Sequence, residues 1–138
     1  MQIKRKSTAV WTGTGKEGNG KISSQSGVLS NSQYGYNTRF AEGLGTNPEE
    51  LIAAAHAGCF SMKLAFNLQA AGFTAEEIRT HGEIVLEDGK ITQSILEVMA
   101  RIPGLTGDKF ADLVEDARLN CPISKLLNCT ITVNANLQ

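Results

Sequence analysis

The 138-residue chain has few cysteines and almost no excess of either charge. Its three cysteines, Cys59, Cys121 and Cys129, are too few for a disulfide scaffold. A net charge of −1 argues against a nucleic acid or an anionic membrane as partner. The basic start is not followed by an apolar signal core, so we expect a cytoplasmic protein. In that reducing compartment, a disulfide is more often catalytic than structural.

The length fits one domain over residues 1–138, and a hydrophobic content of 41% is typical of globular proteins. Period-two patterns and turn signals predict strands, and one Asp-Gly turn predicts a hairpin. The predicted strands occupy residues 1–11, 21–30, 78–87, 91–102 and 129–135. Residues 31–46 lack periodicity and are predicted as a loop, a type of segment that often carries function. Together with two helices, at 47–71 and 108–120, the strands predict an α+β fold.

The start of the central helix is the clearest local signal. Asn47 can cap it, Pro48 suits the first turn, and Glu49 with Glu50 complements the helix dipole. Gly72 is expected to end it in a left-handed conformation.

The central helix is also apolar on nearly every face from residue 51 to 62, which predicts burial. A membrane span is not expected, because His56, Lys63 and Asn67 interrupt an already short run.

Cys59 lies in this apolar helix, where burial disfavours a thiolate. A reactive cysteine there needs a nearby cation, and Arg39 on the upstream loop is the best candidate. Glu49 or Glu50 could hold the arginine in place. Glu49 precedes Cys59 by ten helical residues, about 15 Å of rise and roughly 80° of rotation. We therefore predict an obligate dimer in which Glu49 of one copy serves Cys59 of the other.

Cys121 directly precedes Pro122 and is predicted to cap a short helix whose amides favour a thiolate. By this reasoning alone, Cys121 rivals Cys59 as the nucleophile, and the order of attack stays open. Other readings are inert buried thiols, a small-ligand binding module, or a metal site of His56, Cys59 and Cys121 for which His81 is not obviously placed as fourth ligand.

Four motifs resemble the osmotically inducible protein C (OsmC) branch of the OsmC/Ohr peroxidases. They are Asn37-Thr38-Arg39-Phe40, Gly45-Thr46-Asn47-Pro48-Glu49-Glu50-Leu51, Ala54-Ala55-His56-Ala57-Gly58-Cys59-Phe60-Ser61-Met62 and Cys121-Pro122-Ile123-Ser124. The resemblance covers essentially the whole chain. Gly58 departs from the alanine common in the family, and Cys129 is outside the family pattern.

This resemblance implies strongly curved antiparallel sheets wrapped around long central helices in an intertwined homodimer. It implies a stress-response peroxidase that reduces organic hydroperoxides and hydrogen peroxide, without a metal or organic cofactor. Cys59 would be the peroxidatic thiolate and Cys121 the resolving thiol, with Arg39 activating Cys59 and Glu49 pairing with Arg39. A small or lipoyl-type dithiol would re-reduce the enzyme.

The resemblance leaves the lining of the substrate approach open. We expect an apolar approach lined by Tyr34, Tyr36, Phe60 and Met62, which would favour alkyl peroxides.

Overall fold

The computed structural model describes residues 1–40 and 43–138, which form two compact units, residues 1–51 and 52–138. Each unit contains one three-stranded sheet. The prediction of a single domain over residues 1–138 stays a prediction. Residues 41 and 42, within the predicted loop, lie outside the described residues.

The first unit contains strands β1 (Ser7–Thr12), β2 (Asn19–Ser24) and β3 (Ser32–Tyr34), all antiparallel in the order β1-β2-β3. The rings of Trp11 and Tyr34 pack with their centroids 5.4 Å apart. Gly20 lies beneath both rings, since a Cβ at that position would collide with each of them. A 3₁₀ turn over Asn37–Arg39 follows in the predicted loop.

Helix α1 (Pro48–Ala70) begins in the first unit and continues through the second. The Glu50 backbone N–H donates to the Asn47 side chain at 2.8 Å, so the predicted cap is confirmed. Gly72 has φ +87°, and the Phe73 N–H donates to the Leu68 carbonyl, as expected for a left-handed helix end.

The second unit continues with β4 (Glu77–Glu87), β5 (Lys90–Arg101), helix α2 (Gly107–Asn120), helix α3 (Pro122–Leu126) and β6 (Thr130–Leu137). The predicted hairpin between β4 and β5 is confirmed, and Asp88 and Gly89 both have positive φ in its turn.

The expectation of purely antiparallel sheets is wrong for one pair, because β5 and β6 run parallel. The connection between them passes through α2 and α3, and such a helical crossover returns the chain in the same direction.

The core of the second unit combines one face of α1 with one face of β5 and one face of α2. On α1 the buried positions recur every four residues, and on β5 they recur every two. The fully buried side chains include Phe60, Leu64, Leu68, Leu96 and Ala117. Gly82 of β4 allows close packing of α1, since a Cβ there would lie 2.8 Å from the Ala53 carbonyl oxygen.

Outside its buried face, α1 carries large apolar side chains that are exposed in the single chain. Met62 and Phe66 are 62% and 66% exposed. By length and composition the helix could also span a membrane, a criterion that core helices of soluble proteins meet as well. Its buried face carries a hydrogen-bonded histidine and packs on β5, which is the behaviour of a core helix.

Candidate active site

Cys59 and Cys121 are neighbouring free thiols within the second unit. Cys59 is half-buried on α1, whereas Cys121 is fully buried between α2 and α3. Burial raises the pKa of Cys59, the N–H of Ile123 lowers it, and the adjacent Cys121 thiol raises it further. The net shift is upward, so Cys59 needs a further cationic partner to ionise at neutral pH.

The predicted capping role of Cys121 is confirmed. Its extended backbone ends α2 and begins α3, and its Sγ accepts the N–H of Ser124 at 3.3 Å. Pro122 fills the first position of α3, where a missing N–H costs nothing. The sulfur is therefore held at the junction of the two helices by its own backbone and by the Ser124 N–H.

Behind Cys121, a buried hydrogen-bonded network leads into the core. The Ser124 Oγ is 3.1 Å from the Cys121 Sγ and 2.8 Å from the His56 Nε2. The His56 Nδ1 is 2.6 Å from the Ser94 Oγ. The His56 ring is fully buried, and burial lowers its pKa. The imidazole is therefore neutral at pH 7 and has both nitrogens occupied.

The sequence analysis did not predict this network, although the position of each member in the sequence pattern is a signal for it. His56 occupies the apolar helix face at the same four-residue spacing as Phe60, and Ser94 begins the alternating buried face of β5. One polar position on each of two apolar faces indicates a buried hydrogen bond between them. Ser124 follows its capping residue by three, the usual position of a group that meets the cap.

In the first unit, Arg39 and Glu49 form an ion pair. The Arg39 Nε donates to the Glu49 Oε2 at 3.0 Å, with the two side chains 34% and 14% exposed. Glu50 has a different partner, the Thr46 hydroxyl, so only Glu49 holds the guanidinium among the described carboxylates. The proposed thiol half and the proposed guanidinium half of the site thus belong to different units of the chain.

An apolar hollow of about 190 Å³ opens beside the guanidinium, within the first unit. Its walls include Trp11, Tyr34, Tyr36 and Arg39. Tyr34 and Tyr36 line this cavity, and their part in a substrate approach stays a prediction. Phe60 does not belong to such a lining, because it is fully buried in the core of the second unit. Aromatic walls next to one fixed cation suit a molecule with an apolar body and a polar end.

The remaining predicted alternatives gain nothing from the structure. Within residues 1–40 and 43–138, no group of three or more His, Cys, Asp or Glu side chains could hold a metal ion. His56 has both ring nitrogens engaged by serines, and His81 is exposed on β4. Cys129 is half-buried just before β6.

Comparison with known proteins places the chain in a family. The model of the family described as OsmC-like protein matches residues 41–136. Peroxiredoxin OsmC of Escherichia coli K12 is 42% identical over 142 aligned positions, covering 100% of this chain and 99% of that protein.

Solved structures agree with this result. An organic hydroperoxide resistance protein from Elizabethkingia anophelis superposes with a TM-score of 0.70 at 28% identity, covering 99% of this chain and all of the other. An OsmC-like protein of unknown function from Vibrio cholerae gives a TM-score of 0.76 at 13% identity over 98% of this chain and 100% of the other. At that low identity, the second match speaks for the fold alone.

Proposed function

The chain belongs to the OsmC family and is a peroxidase, and on that premise we propose that it reduces organic hydroperoxides with Cys59 as nucleophile. Hydrogen peroxide would be a second substrate. The observation that carries the proposal is the pairing of Cys59, half-buried on α1, with the adjacent buried Cys121 thiol. A partly accessible thiol next to a second thiol is the arrangement that a peroxidatic and a resolving cysteine need.

In the proposed cycle, the Cys59 thiolate attacks the terminal oxygen of the hydroperoxide. The O–O bond breaks, the alkoxide leaves as an alcohol after taking a proton, and Cys59 becomes a sulfenic acid. The Cys121 sulfur then attacks Cys59, which forms the disulfide and releases water. A small or lipoyl-type dithiol would restore both thiols by exchange. No cofactor takes part in this scheme.

Activation of Cys59 is assigned to Arg39. A cation beside the sulfur lowers the pKa of a thiol, which opposes the upward shift that burial causes in the pKa of Cys59. A guanidinium provides a permanent charge and several donors, enough to bind the thiolate and a peroxide oxygen together. Glu49 would hold its orientation through the 3.0 Å ion pair.

The proposed enzyme is a homodimer with two sites at the subunit boundary. Glu49 precedes Cys59 by ten residues on α1, which corresponds to about 15 Å of helix. Because Arg39 pairs with Glu49 of its own chain, both residues of one copy would serve Cys59 of the other. The exposed Met62 and Phe66 support the dimer, since a second α1 would cover them.

The hollow lined by Trp11, Tyr34 and Tyr36 is proposed to hold the organic part of the substrate. Its neighbour Arg39 would then meet the peroxide group. We further propose that the enzyme works in the cytoplasm during oxidative or osmotic stress.

Peroxide consumption with dihydrolipoate as reductant tests this function. Wild-type protein and Cys129→Ser should consume tert-butyl or cumene hydroperoxide at similar rates, while Cys59→Ser should show no turnover. Cys121→Ser should complete one turnover and then slow. Wild-type turnover by Cys59→Ser would refute the assignment of the nucleophile, and ligand binding by the wild type without turnover would indicate a binding protein.

A further inference from the structure

The buried network behind Cys121 consists of three side chains that the proposed cycle does not use. Cys121, Ser124, His56 and Ser94 form one continuous row with separations of 3.1, 2.8 and 2.6 Å. These separations all lie within hydrogen-bonding range. All four side chains are buried, with exposures between 0 and 7%. Water has little access to the thiol proton, so the proton needs an internal route.

We propose that Ser124 and His56 form a proton relay, which removes the proton from Cys121 when its sulfur attacks Cys59. This inference rests on the proposed function for its place in the cycle. With the imidazole proton on Nδ1, facing Ser94, the donors align in one direction. The Cys121 S–H donates to the Ser124 oxygen, and the Ser124 O–H donates to the free Nε2 of His56.

The transfer balances without a co-reactant. The Cys121 proton moves to Ser124 as the Ser124 proton moves to His56 Nε2, which leaves a thiolate and an imidazolium. The thiolate forms the S–S bond to Cys59, and hydroxide leaves the sulfenic acid. Hydroxide takes up a proton to form water, and His56 returns to its neutral form by giving one up.

Two further observations favour the inference over a histidine that is merely well packed. Burial keeps the pKa of His56 below its ordinary value, so the ring is neutral at pH 7 and its Nε2 can accept the hydrogen bond of the Ser124 hydroxyl. The thiolate that results keeps two donors, the Ser124 N–H and the Ser124 hydroxyl. If His56 served packing alone, a hydrogen bond between the Ser124 hydroxyl and the Cys121 sulfur would not be needed.

Few titratable groups lie next to the described members of the network. His56 meets Ser94 from β5 and Ser124 from α3, and the thiols of Cys121 and Cys59 are the titratable groups next in line. Among residues 1–40 and 43–138, no charged side chain hydrogen-bonds to any member of the network. A pH profile of Cys121 attack therefore reports on the thiols and His56.

A thiol–disulfide exchange that needs no peroxide tests the inference. In the full chain carrying Cys129→Ser, one equivalent of an aromatic disulfide, dithiobis(nitrobenzoate), reacts first at the more accessible Cys59. Cys121 then attacks the Cys59 sulfur and breaks the mixed disulfide, and the second thionitrobenzoate leaves as a coloured thiolate. The rate of this second release measures Cys121 attack directly.

We expect the second release to change little between pH 6 and 8 in the parent protein. In Ser124→Ala the second release should be at least about tenfold slower at pH 6 than in the parent protein, because proton transfer by a positioned side chain commonly contributes more than tenfold to a rate. His56→Gln should slow the second release by a similar factor. Both variants should slow about tenfold for each pH unit below the thiol pKa. Ser124→Thr, which keeps the hydroxyl, should restore a flat profile.

Ser61→Ala is the matched control. Ser61 is a part-buried serine of α1 that hydrogen-bonds Thr80 and the Ala57 carbonyl, away from the row. Its rate should stay within about twofold of the parent, since it lies outside the proposed proton route. If His56→Gln does not fold, Ser124→Ala decides the matter, because it leaves the ring in place.

The inference is overturned if Ser124→Ala keeps the parent rate and pH profile, or if Ser61→Ala slows equally. It is also overturned if the parent protein itself slows steeply below pH 8. The proposed function fails separately, through absence of hydroperoxide turnover, and a flat parent profile with a steep Ser124→Ala profile would still support the proton route.

Discussion

The Arg39 Nε lies 3.0 Å from the Glu49 Oε2, and both groups belong to one chain. An ion pair with one-third of the arginine side chain exposed contributes little to stability, typically about 0–1 kcal/mol. Its consequence is geometric, because a long guanidinium side chain loses its freedom when a carboxylate fixes its orientation. That relationship makes Glu49 a positioning residue for Arg39 in the proposed site.

Glu49→Gln should therefore lower peroxidase kcat/KM by about tenfold or more, a loss of at least about 1.4 kcal/mol of transition-state stabilisation. The free energy of unfolding should change by less than about 1 kcal/mol. Steady-state kinetics and urea unfolding measure the two quantities.

Glu50→Gln is the control for Glu49→Gln, because Glu50 accepts from Thr46 and does not contact Arg39. If both variants lose activity equally, a general effect on the start of α1 explains the loss better than the ion pair does.

The Cys59 pKa should fall when Cys121 is replaced. Burial raises the pKa of Cys59 first, and the Cys121 thiol raises it further through a hydrogen bond and through charge. Cys121→Ser removes the second charge, so the midpoint of Cys59 alkylation by iodoacetamide should move to lower pH. Cys129→Ser should leave that midpoint unchanged. An upward shift in Cys121→Ser would contradict the proposed coupling of the two thiols.

His56 should make the protein less stable in mild acid. Burial lowers the folded-state pKa of His56 below the ordinary value, so the unfolded chain binds a proton first as pH falls. Stability from neutral His56 is present above about pH 6.5 and is lost as pH decreases towards the folded-state pKa, with a slope of up to about 1.4 kcal/mol per pH unit.

Urea unfolding at pH 7, 6 and 5 measures this loss in the wild type and in two histidine variants. His56→Gln should lose less stability than wild type over this range, although it starts lower, because a buried hydrogen bond is perturbed at a cost of about 1–3 kcal/mol. His81→Gln alters the other histidine, which is exposed, and should follow the wild-type slope. Equal slopes for all three proteins would contradict a buried neutral His56.

Association of two chains should depend on the exposed face of α1. Met62→Asp or Phe66→Asp should weaken the dimer by about 2 kcal/mol or more, as loss of a central apolar anchor does. Analytical ultracentrifugation over a concentration series measures the dissociation constant. Leu119→Asp changes a similarly exposed apolar residue on α2 and should leave the constant unchanged. A monomeric wild type would contradict the proposed dimer.

Much of the fold was predictable because its local signals are strong. The Asn47 cap, the Gly72 helix end and the Asp88-Gly89 turn each depend on a few adjacent residues, and each is confirmed. The parallel pairing of β5 with β6 was not predicted, because strand direction depends on the long connection through α2 and α3. Nothing in the β6 sequence itself reveals its orientation.

The candidate site also combines residues that local motifs predict with residues that only the folded chain brings together. Cys59, Cys121, Arg39 and Glu49 were recognisable because motifs carry them, and their roles stay predictions. The Ser94–His56–Ser124 row was not predicted, since its members come from three elements separated by 38 and 30 residues. Phe60 was assigned to the substrate approach because its position next to Cys59 is visible in sequence, while the direction of its side chain is not.

The most direct test of the central claim is to locate the oxygen atom after a single turnover. Cys121→Ser protein is treated with one equivalent of cumene hydroperoxide in the presence of dimedone, and the adduct is mapped by mass spectrometry. We predict a stoichiometric sulfenic acid adduct at Cys59 and none at Cys129. Rapid peroxide consumption without an adduct at Cys59, or with the adduct on another residue, would contradict the account.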